Sequence, residues 1–118
     1  MAETYSDCLF CKIGRKETAA DIIHATDNVV AFRDINPQAP THVLIIPKSH
    51  LESAAEITEY DGDLLAELFL VAAHVARAEK IHPSGWRLVT NVGPEAGQSV
   101  PHLHFHLLGG RPMRWPPG

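Results

Sequence analysis

The sequence predicts an α+β protein in which a five-stranded antiparallel sheet packs against one long helix. Three patterns indicate this: a segment where histidines alternate with large apolar residues, an apolar run of strand length, and one stretch of helical periodicity. The predicted order is β-β-β-α-β-β, with short connections in both hairpins. This order favours an antiparallel meander with the helix on one face, since a doubly wound parallel sheet needs more helices.

The first part of the chain predicts a short helical turn and a β-hairpin. A short apolar piece at residues 8–11 is closed by a polar turn, so one helical turn is expected there. Residues 21–25 and 28–33 have strand composition and are separated by two turn-forming residues, which is typical of a hairpin. Two prolines in residues 34–41 then predict a loop.

The third predicted strand is the most apolar segment of the chain. Residues 42–47 run without a charge from His42 to Pro47, so we expect a central strand buried on both faces. His42 lies at the start of this strand. A turn follows it, and residues 53–57 have room for a further helical turn.

The long helix is expected to begin at Thr58 as N-cap and to end near Ile81, before a proline and a glycine. Its apolar stripe repeats at steps of four, three and four residues: Leu64, Leu68, Val71, Val75. His74 falls on the opposite, polar face. We therefore expect a solvated side chain there and assign it no function.

The last strands carry the histidines. Residues 86–91 predict a fourth strand, and residues 92–99 form a loop rich in glycine. In a fifth strand at residues 102–108, the period of two puts His102, His104 and His106 on one face and the apolar residues on the other. The tail, residues 109–118, is too rich in proline and glycine for regular structure, and we expect it to be extended.

Length and charge limit the function. The 118 residues are enough for one domain. A net charge of −4 argues against a protein whose main function is to bind the phosphate backbone of nucleic acids. No apolar run approaches the roughly 20 residues of a membrane helix. The acidic, polar first residues lack the pattern of a secretory signal, so a cytoplasmic protein is expected.

Three imidazoles on one strand face can attack an anion, hold it, or exchange protons with it near neutral pH. They can also bind metal. A single catalytic zinc held by all three is disfavoured, because the first and third lie about 13 Å apart along a strand and each bond spans about 2.1 Å.

Residues 102–108, His-Leu-His-Phe-His-Leu-Leu, resemble the histidine-triad signature. Residues 34–42, the Ile-Pro-Lys-Ser-His turn ending at His50, the Gly-Gln-Ser loop at residues 97–99, and the tail extend the resemblance to residues 8–118. The chain is similar to the Hint branch of the histidine-triad (HIT) family. The resemblance implies a HIT-like single domain spanning residues 1–118 that forms a homodimer.

The resemblance also implies an activity: a nucleoside phosphoramidase that acts at the α-phosphorus of a purine nucleotide through a nucleotidyl-histidine intermediate. His104 would be the nucleophile, and His106 and His42 would hold phosphoryl oxygens or pass protons. Ser99 would hand a proton to the leaving amine. The backbone and side chains of Gly97, Gln98 and Ser99 would meet the developing charge.

Base and ribose would lie between the sheet and the N-terminal segment. The residues at family contact positions are Leu9, Phe10, Ile13, Phe32, Asp34, Ile35 and Asn91. Asp34 would accept hydrogen bonds from the ribose hydroxyls. Plain core packing of Phe10 and Phe32, and an Asx turn at Asp34, are equally compatible with the sequence.

The two cysteines fit a structural zinc site. Cys8 and Cys11, with His50 and His102, match positions that some histidine-triad proteins use to bind zinc, and two sulfurs with two imidazole nitrogens form a closed tetrahedral set. A redox pair lacks its usual strand-then-helix setting, and buried thiols are the remaining alternative. With zinc bound, His102 would be structural, and no catalytic cofactor is expected.

Other functions share this pocket. A dinucleoside polyphosphate hydrolase, a nucleotidyl transferase and a nucleotide-binding module without turnover all remain open. Leu70 on the polar helix face, and Met113 and Trp115 in the tail, are exposed unless something covers them. We therefore expect a symmetric homodimer, and the resemblance to Hint proteins implies that Trp115 approaches the partner's site.

Overall fold

The structure, a computed structural model, describes residues 7–118 and confirms the α+β prediction. Five antiparallel strands form one sheet in the order β1-β2-β3-β5-β4, with one long helix and one short helix. The elements are α1 (Leu9–Gly14), β1 (Ile22–Ala25), β2 (Val29–Arg33), β3 (Thr41–Pro47), α2 (Gly62–Ala78), β4 (Trp86–Val89) and β5 (Phe105–Gly109).

The predicted simple meander is wrong in one respect. Strand β5 lies between β3 and β4, so β3 pairs with β5 rather than with the next strand in the chain. Helix α2 crosses one face of the sheet, and the chain then enters β4, which is separated from β3 by the width of one strand. β5 fills the gap and brings His106 opposite Leu44 of the central strand.

The sheet is buried on both faces. Strand β3 is buried along its whole length, as predicted for a central strand. Its alternate residues enter two cores: Val43 and Ile45 pack with α2, whereas Leu44 and Ile46 pack with Phe10 of α1. His102, His104 and His106 also lie on the α1 side of the sheet.

The fifth strand is shorter than predicted. β5 begins at Phe105, so His102 and His104 lie in the extended segment that leads into it. The Leu103 N–H donates to the Leu51 carbonyl (2.6 Å) and not to a neighbouring strand, so the ladder starts later. The predicted alternation nevertheless holds, because Leu103, Phe105 and Leu107 enter the core under α2.

Thr58 caps a short 3₁₀ turn, Glu59–Asp61, that leads into α2, and is therefore not the N-cap of α2 itself. Asp61 accepts from the Thr58 N–H at 2.8 Å, which completes a capping box. The helix ends at Ala78, slightly before the predicted end. His74 is exposed, as predicted, and its ring centroid lies 4.4 Å from that of His24.

Within the described part of the chain, no helix combines the length and the apolar character that a membrane span requires. The predicted absence of a secretory signal concerns the first residues, and residues 1–6 lie outside the described part of the chain.

Candidate active site and metal centre

The three histidines of residues 102–106 lie side by side but in different surroundings. His102 is fully buried, His104 is buried with its edge at a cavity, and His106 is half-buried. The Phe10 ring packs edge-on against His102 and His104, with centroids 5.9 and 5.1 Å apart. α1 therefore covers two of the histidines and leaves the third more open.

His104 has one ring nitrogen bonded to the backbone and one that faces the cavity. Nδ1 lies 2.7 Å from the carbonyl oxygen of His102, an acceptor, so Nδ1 carries the proton and donates it. The lone pair of the neutral ring is then on Nε2. The carbonyl of His104 accepts from the Thr90 hydroxyl at 2.8 Å, which fixes the backbone from the other side. This geometry prepares His104 Nε2 as a nucleophile.

A chain of hydrogen bonds orients His106. The Gln38 N–H donates to His42 Nδ1 (3.0 Å), so the proton of neutral His42 is on Nε2. His42 Nε2 lies 2.9 Å from His106 Nδ1 and donates to it, with Asp34 Oδ2 at 3.3 Å from the same nitrogen. The proton of neutral His106 is therefore on Nε2, where it can be donated to an oxygen of a bound anion.

His42 and His106 are held neutral by burial. Burial, helped by the proximity of His104 and His42, lowers the pKa of His106 to about 4. Burial also lowers the pKa of His42, against the opposing effect of the Asp34 carboxylate. At neutral pH both rings therefore carry the single protons that the hydrogen-bond chain requires.

A cavity of about 350 Å³, here called the apolar cavity, opens beside His104 and His106. Phe10 and Phe32 form one wall, with ring centroids 5.5 Å apart in an edge-on arrangement. Nine of the predicted nucleotide-binding residues line it: Leu9, Phe10, Ile13, Phe32, Asp34, Ile35, Ser99, His104 and His106. Ala19, Ala20, Arg33, Leu44 and Val100, which the sequence did not single out, also line it.

Three predicted contact residues lie elsewhere. Asn91 lines a second cavity on the other side of His106. The Gln98 amide is used within its loop, accepting from the Gly93 N–H at 2.9 Å and donating to the Val100 carbonyl at 3.0 Å. Gly97 ends the 3₁₀ turn Pro94–Ala96 with a φ of 84°, where glycine is favoured. Gln98 and Gly97 thus shape the loop that presents Ser99.

Asp34 combines the two interpretations that the sequence left open. Its Oδ1 accepts from the Asn36 N–H at 2.8 Å, which is the expected Asx turn. Its Oδ2 faces His42 and the apolar cavity. One carboxylate oxygen therefore holds the loop and the other is presented to the site.

The four predicted zinc ligands lie close together, next to His104. His102 Nδ1 lies 3.3 Å from Cys8 Sγ and 3.4 Å from Cys11 Sγ, and His50 Nδ1 lies 3.3 Å from Cys11 Sγ. These separations are close to the ~3.6 Å between sulfur and nitrogen ligands of a tetrahedral zinc ion. All four ligand atoms lie within 4.8 Å of one another.

The protonation of this cluster also suits a metal. His102 Nε2 lies 2.8 Å from the Pro47 carbonyl and donates to it, so the Nδ1 lone pair faces the thiols. Burial raises the pKa of Cys11 to about 11, with Cys8 adding to the effect. A thiol with a raised pKa is a poor redox nucleophile, which argues against a reactive pair. The donor set fits zinc, which would displace the thiol protons.

A second group, Asp34, His42 and His106, also brings its ligand atoms within 4.8 Å. Here the hydrogen bond from Gln38 places the proton of neutral His42 on Nε2, the atom that faces the other two residues. The lone pair of His42 is then on Nδ1 and accepts from Gln38, so His42 offers no lone pair to a metal at this place. The two histidine clusters of the described chain thus differ in chemistry.

Some residues that build the site gave no signal in the sequence. Thr90, Gln38 and Pro47 act through one hydroxyl, one N–H and one carbonyl. Backbone groups carry no residue signature, and Thr90 is an ordinary strand-end threonine in the sequence.

Comparisons with known proteins agree with this geometry. A family model described as the HIT domain matches residues 15–113. The 14 kDa zinc-binding protein of Zea mays is 49% identical over 115 residues, which are 96% of this chain and 89% of that protein. The purine nucleoside phosphoramidase of Escherichia coli is 44% identical over 107 residues, 91% of this chain and 90% of that protein.

Among solved structures, a HIT family hydrolase from Legionella pneumophila superposes with a TM-score of 0.93 at 50% identity, and the match covers 95% of this chain and 100% of that one. The family model, the relatives and the solved structure all extend over most of the chain. The protein therefore belongs to the HIT domain family, as the signature at residues 102–108 indicates.

Proposed function

We propose that this protein is a nucleoside phosphoramidase that hydrolyses the P–N bond at the α-phosphorus of a purine nucleoside phosphoramidate. The observation that carries the proposal is the free Nε2 of His104, which faces a nucleoside-sized cavity next to a second, N–H-donating histidine. The Escherichia coli relative named as a purine nucleoside phosphoramidase supports this choice of reaction.

The apolar cavity would hold the nucleoside. Its Phe10 and Phe32 rings offer apolar surface for a purine base, and Asp34 Oδ2 lies where ribose hydroxyls can donate to it. The α-phosphate would then lie at His104 and His106, with the Ser99 hydroxyl at the edge of the cavity.

In the first step, His104 Nε2 attacks phosphorus, the N–P bond to His104 forms, and the bond to the leaving nitrogen breaks. The Ser99 hydroxyl relays a proton from solvent to the departing amine. The ring of His104 becomes positively charged, and the carbonyl of His102 stabilises that charge through the Nδ1–H bond of 2.7 Å. His106 Nε2–H donates to a phosphoryl oxygen as charge develops there.

In the second step, water attacks the same phosphorus and the bond to His104 breaks. The nucleoside monophosphate leaves, the water proton returns to solvent, and Nε2 regains its lone pair. The net reaction consumes one water and releases one amine and one nucleotide.

We further propose that Cys8, Cys11, His50 and His102 hold a structural zinc ion. The zinc-binding relative from Zea mays supports this assignment. When bound, zinc supplies a crosslink between α1 and the segment before β5. It takes no part in the phosphoryl transfer, which needs no catalytic cofactor.

A symmetric homodimer is proposed as the working assembly, with the tail near the partner's site. Strand β4 ends the sheet, Leu70 is 70% exposed and Trp115 is 81% exposed. Trp115 would pack on the leaving group at the partner's pocket. Light scattering at micromolar concentration is expected to give the mass of two chains, and a monomer would contradict the dimer.

The test of function is a substrate panel. Adenosine and guanosine 5′-phosphoramidates and a dinucleoside polyphosphate are incubated with the protein, and products are separated by chromatography. We expect release of nucleoside monophosphate and amine from the phosphoramidates, faster than cleavage of the polyphosphate. The reverse order would favour a polyphosphate hydrolase, and binding of AMP without turnover of any substrate would leave a binding module.

A further inference from the structure

A second cavity lies on the other side of His106 from the apolar cavity. It measures about 530 Å³, and three arginines line it together with His42 and His106. We call it the arginine-lined cavity; the arginines are Arg87, Arg111 and Arg114. His106 is shared by both cavities, so the two meet at the place where the phosphorus would lie.

The side chains that line this cavity carry positive charge without an acidic side chain among them. None of the described residues that line it is an aspartate or a glutamate, and Gly118, with the terminal carboxylate of this chain, lies at its edge. Within residues 7–118, the arginines paired with carboxylates are Arg15 and Arg33, both elsewhere. Three guanidinium groups therefore gather on a protein whose net charge is −4.

Backbone carbonyls hold two of these arginines in place. Arg87 Nη2 donates to the Arg114 carbonyl at 3.0 Å. Arg111 donates through Nε and Nη2 to the Gln38 carbonyl at 3.1 and 3.0 Å, and through Nη1 to the Pro112 carbonyl at 2.9 Å. These bonds fix position without cancelling charge. Since a guanidinium has five N–H groups, most of those on Arg87 stay available for a ligand.

We infer that the arginine-lined cavity binds the leaving group, and that the preferred leaving group is an amine bearing a carboxylate. This inference rests on the proposed phosphoramidase function. If the nucleoside fills the apolar cavity and phosphorus lies at His104 and His106, the remaining substituent extends past His106 into this space. Guanidinium groups bind carboxylates through two parallel charge-assisted hydrogen bonds, which selects an acidic substituent.

The size of the cavity agrees with this class of substrate. At about 530 Å³ it is larger than the apolar cavity of about 350 Å³, so an amino acid or a short peptide fits into it. In the reaction, the bond from phosphorus to the amine nitrogen breaks and the amine leaves with one added proton. The carboxylate stays bound to the arginines throughout and takes no part in the chemistry.

The experiment compares two adenosine 5′-phosphoramidates of nearly equal size, one N-linked to glutamate and one to glutamine, each with its α-carboxyl group converted to an amide so that only the glutamate conjugate carries a carboxylate. We expect kcat/KM for the glutamate conjugate to be higher by about tenfold, as one charge-assisted contact gives. Arg87→Gln should remove that preference by slowing the glutamate conjugate alone. Arg77→Gln is the control, because Arg77 is exposed on α2, where its guanidinium donates to the Ala73 carbonyl.

Equal kcat/KM values for the two conjugates in the unchanged protein would overturn the inference. A decrease of both kcat/KM values by the same factor in Arg87→Gln would also overturn it. Failure to cleave either conjugate would instead contradict the proposed function. The subsite is then tested separately by calorimetry on the His104→Ala protein. Tighter binding of the glutamate conjugate, lost on adding Arg87→Gln, supports the inference, and equal dissociation constants contradict it.

Discussion

Two neighbouring histidines, His102 and His104, bind the backbone through opposite ring nitrogens. At His102, Nε2 is bonded to the Pro47 carbonyl, and Nδ1 faces two thiols in the interior. At His104, Nδ1 is bonded to the His102 carbonyl, which leaves Nε2 at the wall of the apolar cavity. The difference teaches that the position of one backbone carbonyl determines which ring nitrogen keeps its lone pair, and so whether an imidazole is suited to bind a metal or to act as a nucleophile.

The two regions are also joined. The carbonyl that orients His104 belongs to His102, and the Phe10 ring packs against both imidazoles. A change at the metal cluster is therefore expected to reach the nucleophile through one peptide group, whereas a change at the nucleophile leaves the cluster intact.

The largest predicted effect separates the two regions directly. His104→Ala should lower turnover of an adenosine phosphoramidate by on the order of 10³-fold or more, because the nucleophile is lost. AMP binding should persist, since the cavity walls remain. Rates are measured by chromatography and binding by calorimetry. His74→Ala, an exposed histidine on α2, is the control, and near-normal turnover in His104→Ala would refute the covalent mechanism.

Zinc at the cysteine and histidine cluster should increase the free energy of unfolding. With free zinc at a thousand times its dissociation constant, the native state gains about 4 kcal/mol. Urea unfolding of the unchanged protein should show this difference between zinc and chelator, and Cys11→Ser should show little of it. His102→Ala should also lose the metal, as elemental analysis would report. The same free energy of unfolding with zinc and with chelator would return the cysteines to simple buried thiols.

A smaller effect is expected at the nucleoside. Asp34→Asn should raise KM by about tenfold, because a charged acceptor for the ribose hydroxyls becomes a neutral amide. The increase in KM should be smaller for a deoxyribose substrate, which lacks one of those hydroxyls. Asp27→Asn, in the turn between β1 and β2, is the matched control. An equal increase in KM for ribose and deoxyribose substrates would show that Asp34 acts only on the loop or on His42, and not on the ribose.

The smallest predicted signal is a titration. Because burial lowers the pKa of His106 to about 4, its ring should stay neutral as the pH falls from 8 to 5, with a midpoint near 4 by NMR. The unfolded chain takes up this proton near pH 6.5, so His106 makes the native state less stable as the pH falls from 6.5 towards 4. A midpoint near 6.5 would contradict the neutral hydrogen-bond chain.

The sequence predicted the faces of the strands but not the tautomers. Period-two alternation is local, so the separation of His104 and His106 from Phe105 and Leu107 followed from the pattern alone. Which ring nitrogen of His102 binds the backbone depends on the position of the Pro47 carbonyl, and tertiary packing determines that position. The insertion of β5 between β3 and β4 is likewise non-local, because it depends on how far α2 carries the chain.

The loop residues show the same limit. Resemblance placed Gln98 at the phosphorus, yet its amide has three backbone partners within reach: the Gly93 N–H and the carbonyls of Val100 and Glu52. A residue type at a motif position does not say which partners its side chain finds. In the structure these hydrogen bonds hold the loop that carries Ser99.

The central claim is that His104 alone of the three histidines forms a covalent bond to phosphorus. The most direct test is rapid quenching of the reaction with an adenosine phosphoramidate in alkaline denaturant, followed by mass spectrometry of the intact chain and of its peptides. We predict one adenylyl group per chain, located on His104. An adduct on His102 or His106, or turnover without any adduct on the reaction time scale, would contradict the account.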